Sequence, residues 1–261
     1  MQAGVIELTY RGRICRFDGE PAYGLENPGI IYAALLKGRF YEHAFLDYIR
    51  SLQIRGVYVD VGAYIGTHSL FFALMCPSTR VYAFEPRDFV FERLGKNIAL
   101  NEQGKKIKAH PWGLSDRTGQ VSVTLDREQC VLECRRLDDV VQRRVDVIKI
   151  DVEGMEPRVI DGAARTLARW RPLIFAEAGK PQEYEALVAC MARHRYRPSG
   201  RVFNATPTYE FVPERRTSWE RYTDLAKTEL PWLARRSVRR LARRFPALVA
   251  PVINRRRRNV R

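Results

Sequence analysis

Acidic residues in this chain stand where apolar runs stop, and glycines follow them closely. The run Val57-Tyr58-Val59 ends in Asp60-Val61-Gly62-Ala63-Tyr64-Ile65-Gly66. Val81-Tyr82-Ala83-Phe84 ends in Glu85-Pro86, Val147-Ile148-Lys149-Ile150 ends in Asp151-Val152-Glu153-Gly154, and Leu173-Ile174-Phe175-Ala176 ends in Glu177. A glycine after a strand lets the backbone turn where a Cβ would collide and lets a ligand approach the main chain. A helix that begins there turns unpaired N–H groups toward the same space. Asp60 adds a carboxylate, which suits a ligand carrying a positive group such as the amino group of a methionine moiety. The dinucleotide fingerprint G-x-G-x-x-G is not met, because position 64 is Tyr and the spacing is G-x-x-x-G. An ordinary strand-to-helix turn with a packing glycine is the alternative.

The remaining acids have chemistry of their own. Glu85 lies one strand–helix step after Asp60, where an acid accepts hydrogen bonds from ribose hydroxyls. The alternative is a cap for the helix that starts at Asp88. Ser115-Asp116 follows the next strand and either meets an adenine edge or makes a plain turn. Of Asp151 and Glu153, one can orient an amino group while the other accepts a proton or holds a hydroxyl. A hard cation on that pair lacks an evident third protein ligand, so no metal is expected. General-base candidates are Asp151, Glu153 and Glu177, with His68 and His110 read as structural histidines. Glu42, in the N-terminal cover, is expected to be a solvated helix acid; the alternative is that it reaches the crevice.

The elements that position these groups follow from hydrophobic periodicity. Val5–Phe17 alternates around Arg11-Gly12-Arg13 and predicts a β-hairpin. Ile30–Leu52 has helical spacing, split into two helices at Gly38. Strand–helix units then repeat, which is the signature of a parallel sheet. Strands are expected at 80–85, 106–114, 121–125, 145–150 and 172–178, and helices at 88–101, 156–167 and 183–193. A closing hairpin is expected from Tyr196–Phe203 and Thr208–Val212. In a parallel sheet all carboxyl ends share one edge, so Asp60, Glu85, Asp151 and Glu177 are expected to line one crevice. The organisation expected is an N-terminal hairpin and helical cover over 1–53, a ligand-binding α/β domain over 54–214, and a basic amphipathic tail over 215–261.

The combined pattern resembles the FkbM-type family of S-adenosylmethionine-dependent methyltransferases. The stretches that carry it are Lys37-Gly38-Arg39-Phe40-Tyr41-Glu42, Asp60 through Thr67, Phe84-Glu85-Pro86, Gly113-Leu114-Ser115-Asp116 through Gly119, Arg136-Leu137-Asp138-Asp139, and Lys149 through Glu156. They span residues 30–180, and their order and spacing together are more specific than any one of them. The family carries Asn where this chain has Tyr64. The resemblance implies an α/β, class I methyltransferase, Rossmann-like fold. That fold has a seven-stranded, mostly parallel sheet with one antiparallel strand and helices on both faces. It implies S-adenosylmethionine as cofactor, with Asp60, Gly62 and Gly66 at the methionine part, Glu85 at the ribose and Asp116 at the adenine. Ala63, Thr67, Pro86, Ser115 and Asp151 complete the implied cofactor set. It also implies methyl transfer to an oxygen of a small-molecule or glycan acceptor, often a sugar or polyketide hydroxyl.

Composition bounds the rival readings. Hydrophobic residues make up 46% of the 261, which excludes a disordered chain and allows one large α/β domain. The net charge is +15, yet eleven arginines lie between Arg235 and Arg261 and no acid follows Glu229, leaving +4 for the rest. Basicity is thus mainly a property of the tail. Leu233, Val238, Leu241, Phe245 and Leu248 fall near one helical face with arginine pairs between them, a pattern that suits an anionic membrane surface. Arg255–Arg258 would add about 1 kcal/mol per charge there. A disordered solubilising tail is the alternative. A nucleic-acid partner is disfavoured, because the body has no interleaved aromatic-basic face. A nucleotide-sugar or dinucleotide enzyme conflicts with Asp60 and the missing middle glycine. An enzyme methylating exocyclic amines would show Asn/Asp-Pro-Pro-aromatic where this chain has Asp151-Val152-Glu153-Gly154. Five scattered cysteines make no zinc spacing and point to reduced thiols in the cytoplasm. Met1–Tyr10 has neither the basic start nor the apolar core of a secretory leader. Nothing in the pattern sets the oligomeric state.

Overall fold

The computed structural model describes residues 4–19, 28–125 and 128–214. The hairpin β1 (Val5–Tyr10) and β2 (Arg13–Asp18) is followed by α1 (Pro28–Leu36) and α2 (His43–Ser51). The sheet begins with β3 (Gly56–Val61), α3 (Thr67–Met75), β4 (Ser78–Phe84), α4 (Asp88–Leu100) and β5 (Ile107–His110). An insertion follows: β6 (Gly113–Leu114), β7 (Gly119–Leu125), β8 (Glu128–Arg135) and α5 (Leu137–Val140). The chain then returns through β9 (Val147–Ile150), α6 (Glu156–Gly162), α7 (Ala164–Trp170), β10 (Leu173–Glu177), α8 (Pro181–Arg193), β11 (Tyr196–Phe203) and β12 (Thr208–Pro213).

Seven strands form one sheet in the order β11-β12-β10-β9-β3-β4-β5. Neighbours from β10 to β5 run parallel, and β12 lies antiparallel to both β10 and β11. The central strands are buried on both faces, as parallel strands covered by helices must be. On one face Val59, Val61, Ile148, Ile150, Ile160, Leu167 and Leu187 form a core with α6, α7 and α8. On the other, Tyr58, Phe71, Phe72 and Phe175 pack with Leu8 and Phe17 of the hairpin and with Leu35, Phe45 and Ile49 of α1 and α2. The N-terminal cover therefore shares its core with the sheet. From β3 the chain runs outward to β4 and β5, and it comes back to β9 on the other side. The carboxyl ends of β3 and β9 flank this switch point, where open α/β sheets bind ligands.

Three expectations about elements need correction. The strand expected over 106–114 stops at His110. Pro111 has no N–H to give the ladder, and Gly113–Leu114 joins a separate three-stranded sheet, β6-β8-β7. The strand β8 was not expected at all. Its signal is the alternation of Cys130, Leu132 and Cys134, which pack on Val121 and Val123 of β7. The single helix expected over 156–167 breaks at Ala163. There Gly162 approaches the Ser115 carbonyl so closely that a Cβ would lie 2.0 Å from that oxygen. The second half restarts because Asp138 accepts the backbone N–H groups of Arg165 and Thr166, both at 2.8 Å, and so caps α7 from another element.

Among the described residues no helix is long and apolar enough to cross a membrane. The basic amphipathic tail read over 215–261 lies outside the described residues.

Candidate functional site

The turn after β3 is built by close approach. Gly62 has φ +76, and a Cβ there would sit 1.8 Å from the Asp151 carbonyl oxygen, so the ends of β3 and β9 touch through main chain. Gly66 has φ +89 and ends the turn against Leu94. The amides of Gly62 and Ala63 both donate to the Phe84 carbonyl, at 3.0 and 2.9 Å. They tie the turn to β4.

Beneath the turn lies a buried charge network. Asp60 and Lys149 are register partners on β3 and β9, and both are buried. Lys149 Nζ donates to the Gly62 carbonyl at 3.1 Å and stands 3.2 Å from Asp151 Oδ2 and 3.5 Å from Asp60 Oδ1. Ser69 Oγ donates to Asp60 Oδ2 at 2.6 Å. Burial alone lowers the Lys149 pKa, but Asp151, Asp60 and Glu42 together hold it above its ordinary value. Burial raises Asp60 against the pull of Lys149 and Ser69.

A cavity of about 430 Å³ opens at this rim, within the range of small-molecule sites. The β3 and β4 ends contribute Gly62, Tyr64, Glu85, Pro86 and Arg87, and the β9 and β10 ends contribute Asp151, Glu153 and Glu177. Tyr41 and Glu42 enter from the cover, and Leu114 and Leu132 from the insertion. Glu85 accepts the Tyr64 N–H at 3.0 Å through one oxygen and Arg87 N and Nε, at 3.1 and 3.0 Å, through the other. The Arg87 guanidinium stands 5.6 Å from the Tyr64 ring centre.

The acids of the cavity wall are electrostatically unlike. Burial, with Asp151 beside it, pushes Glu177 up to about 9 despite Lys149. Burial pushes Glu42 up to about 7, with Lys149 opposing and Asp151 adding. Tyr41 is pushed up to about 12 by burial and then by Glu42. Asp151 is the acid paired directly with Lys149.

Of the residues singled out in the sequence, Gly62, Glu85, Pro86, Asp151, Glu153 and Glu177 line the cavity. Asp60, Ala63, Gly66, Thr67, Ser115 and Asp116 are not among its lining residues. Ser115 is buried, and its hydroxyl donates to the exposed Asp116 at 2.9 Å. The expectation that Glu42 is a solvated helix acid is overturned: its side chain is 10% exposed and lines the cavity. Gly38 and Arg39 end α1 early, and Glu42 takes a left-handed φ of 55 at the start of α2, which brings Tyr41 and Glu42 over the rim. His68 is buried among Phe45 and Phe72. His110 stacks on Phe84 and lies tilted against Trp112, and burial first, then Lys108 and Arg135, lowers it to about 4. Sequence reasoning missed Lys149. Its signal is a lone cation inside an otherwise apolar strand. Among the described residues one mixed group, Asp161, Cys190 and His194, has metal-like proximity. Arg193 and His194 already bond Asp161, and these residues are not among those lining the cavity.

The family model of the methyltransferase FkbM domain matches residues 60–198, more than half of the chain. This chain belongs to the FkbM methyltransferase family. It is 27% identical over 173 residues to methyltransferase sdnD of Sordaria araneosa, covering 47% of this chain and 67% of that one. It is 25% identical over 189 residues to 2-O-methyltransferase NoeI of Sinorhizobium fredii, covering 60% and 74% respectively. The crystal structure of methyltransferase FkbM from Methylobacillus flagellatus KT matches with a TM-score of 0.50 at 21% identity. That match covers 63% of this chain and 46% of the other, so this chain spans about half of that molecule. The sheet order and the single antiparallel strand are those of a class I methyltransferase. As a family member the chain is a methyltransferase, and family membership implies use of S-adenosylmethionine. The lining fits that cofactor: its carboxylates suit ribose hydroxyls, a sulfonium and an ammonium group.

Proposed function

We propose that this enzyme transfers a methyl group from S-adenosylmethionine to a hydroxyl of a sugar, glycolipid or secondary metabolite. The observation that carries the reading is a single cavity joining Glu85 at the β4 end to Asp151, Glu153 and Glu177 at the β9 and β10 ends. The similarity to a 2-O-methyltransferase supports an oxygen acceptor.

In this reading Gly62 borders the methionine side of the cofactor, and Glu85 and Pro86 hold its nucleoside side. Asp151, fixed by Lys149, holds its amino group. Asp60 acts from below by fixing Lys149. The footprint extends to Ala63, Gly66 and Thr67, which follow Gly62 in the turn, and to Ser115 and Asp116, which follow Leu114 of the cavity wall. The bound cofactor supplies a methyl group already activated on sulfur, so the chain mainly has to align an oxygen with it and exclude water. Glu177, raised to about 9, carries a proton at neutral pH and donates a hydrogen bond to an acceptor oxygen. Glu153, at the mouth, and Asp151 are the other sequence candidates for proton transfer.

The test is incubation with S-adenosylmethionine and a panel of methyl glycosides, read as S-adenosylhomocysteine release and mass gain on the glycoside. Transfer onto a hydroxyl is expected, and it is lost in Asp151→Asn. Cofactor binding without transfer to any hydroxyl, together with transfer to amines, would contradict the reading.

A further inference from the structure

The acid that faces the acceptor from the cover has a partner built for its protonated form. Glu42 Oε2 lies 3.4 Å from His68 Nε2; His68 is buried, and the Glu42 side chain is 10% exposed. That nitrogen makes no hydrogen bond in the structure. We assign the ring its Nδ1–H tautomer, turned toward the Tyr41 backbone, which leaves Nε2 as a bare acceptor. An acceptor lone pair beside a carboxylate has no proton to share, and a buried orphan of this kind is costly. Beside a carboxylic acid it completes a hydrogen bond. Burial and then Lys149 keep His68 far below its ordinary pKa, so the ring stays neutral and the acceptor stays available.

We propose that Glu42 is the general base of the methyl transfer and that His68 is the positioning residue that receives its acid form. This inference rests on the O-methyl reading above. As the hydroxyl oxygen bonds to the methyl carbon, the carbon–sulfur bond breaks and its electron pair stays on sulfur. The hydroxyl proton passes to the Glu42 carboxylate, and the resulting acid donates to His68 Nε2. The proton leaves to solvent with the product. The other acids of the wall are worse placed for this. Asp151 is paired with Lys149, Glu177 already holds its proton at neutral pH, and Glu153 is exposed at the mouth. The groups facing Glu42 are Tyr41 on its own segment, His68 on α3, Lys149 and Asp151 from β9, and Glu177 from β10. Burial, offset by Lys149 and supported by Asp151, sets Glu42 at about 7, where a base works near neutral pH.

Two measurements on the full chain test this. The first is an infrared pH titration of wild type, Glu42→Gln and His68→Phe without cofactor. A protonated-carboxyl band that titrates near pH 7, vanishes in Glu42→Gln and moves to lower pH in His68→Phe is expected. A Glu42 that is fully ionised at pH 6, or a midpoint indifferent to His68→Phe, overturns the proposal. The second is methyl transfer to the glycoside panel. Glu42→Gln is expected to lower kcat about 100-fold or more while S-adenosylhomocysteine still binds by calorimetry. A variant that keeps more than a tenth of the wild-type rate overturns the proposal. If wild type methylates no glycoside, the O-methyl reading has failed, and the infrared midpoints alone decide the pairing of Glu42 with His68.

Discussion

Lys149 illustrates how one residue organises the rim. It touches the Gly62 carbonyl, Asp60 and Asp151, and so links the turn after β3 to the end of β9. Removing the cation leaves the buried Asp60 carboxylate with only the Ser69 hydroxyl to offset its charge. Lys149→Met is therefore expected to cost about 3–5 kcal/mol in urea unfolding, and Lys149→Met with Asp60→Asn markedly less. Glu42 and Glu177 set a pH dependence of the opposite kind. Both bind a proton more tightly in the folded chain than the ordinary 4.5, at about 7 and about 9. Their contribution to stability is complete below pH 4.5 and is lost as the pH rises through those two values, by at most about 1.4 kcal/mol per unit for each group. Denaturation curves without cofactor are expected to weaken from pH 5 to 9, and Glu177→Gln to flatten the upper part of that slope. A flat wild-type profile would contradict the burial described for these acids.

Elements explain what was legible before the structure and what was not. Glu85, Asp151 and Glu177 were readable because a buried parallel strand is an apolar run, and a run that ends in an acid puts that acid at the carboxyl edge. Asp60 follows the same rule, yet one residue of register turns it beneath the rim toward Lys149. Glu42 was misjudged because the approach of the cover to the rim is tertiary and leaves no local mark. The insertion was half seen: Val121–Leu125 alternates clearly, while the cysteines and acids of β8 dilute its pattern. The break between α6 and α7 was hidden because the groups that set it come from other elements: the Ser115 carbonyl against Gly162, and the Asp138 carboxylate that caps α7 at Arg165. Asp138→Ala is expected to loosen α7 and lower stability by about 1–2 kcal/mol, read as a lower thermal midpoint and faster amide exchange over Arg165 and Thr166.

At the scale of the molecule, the sheet supplies the floor of the cavity and the cover supplies one wall. The carboxyl ends of β3, β4, β9 and β10 bring Gly62, Glu85, Asp151 and Glu177 to one cavity, and Tyr41 and Glu42 close it from the N-terminal side. The arginines from 235 onward belong to a separate proposal, attraction to anionic lipid. Deleting residues 235–261 is expected to abolish binding to phosphatidylglycerol vesicles and to leave cofactor binding intact. The most direct test of the central claim is a crystal structure with S-adenosylhomocysteine. The account predicts its ribose hydroxyls on Glu85 and its amino group on Asp151. Density for the ligand outside the cavity bounded by Gly62, Glu85 and Asp151 would contradict it.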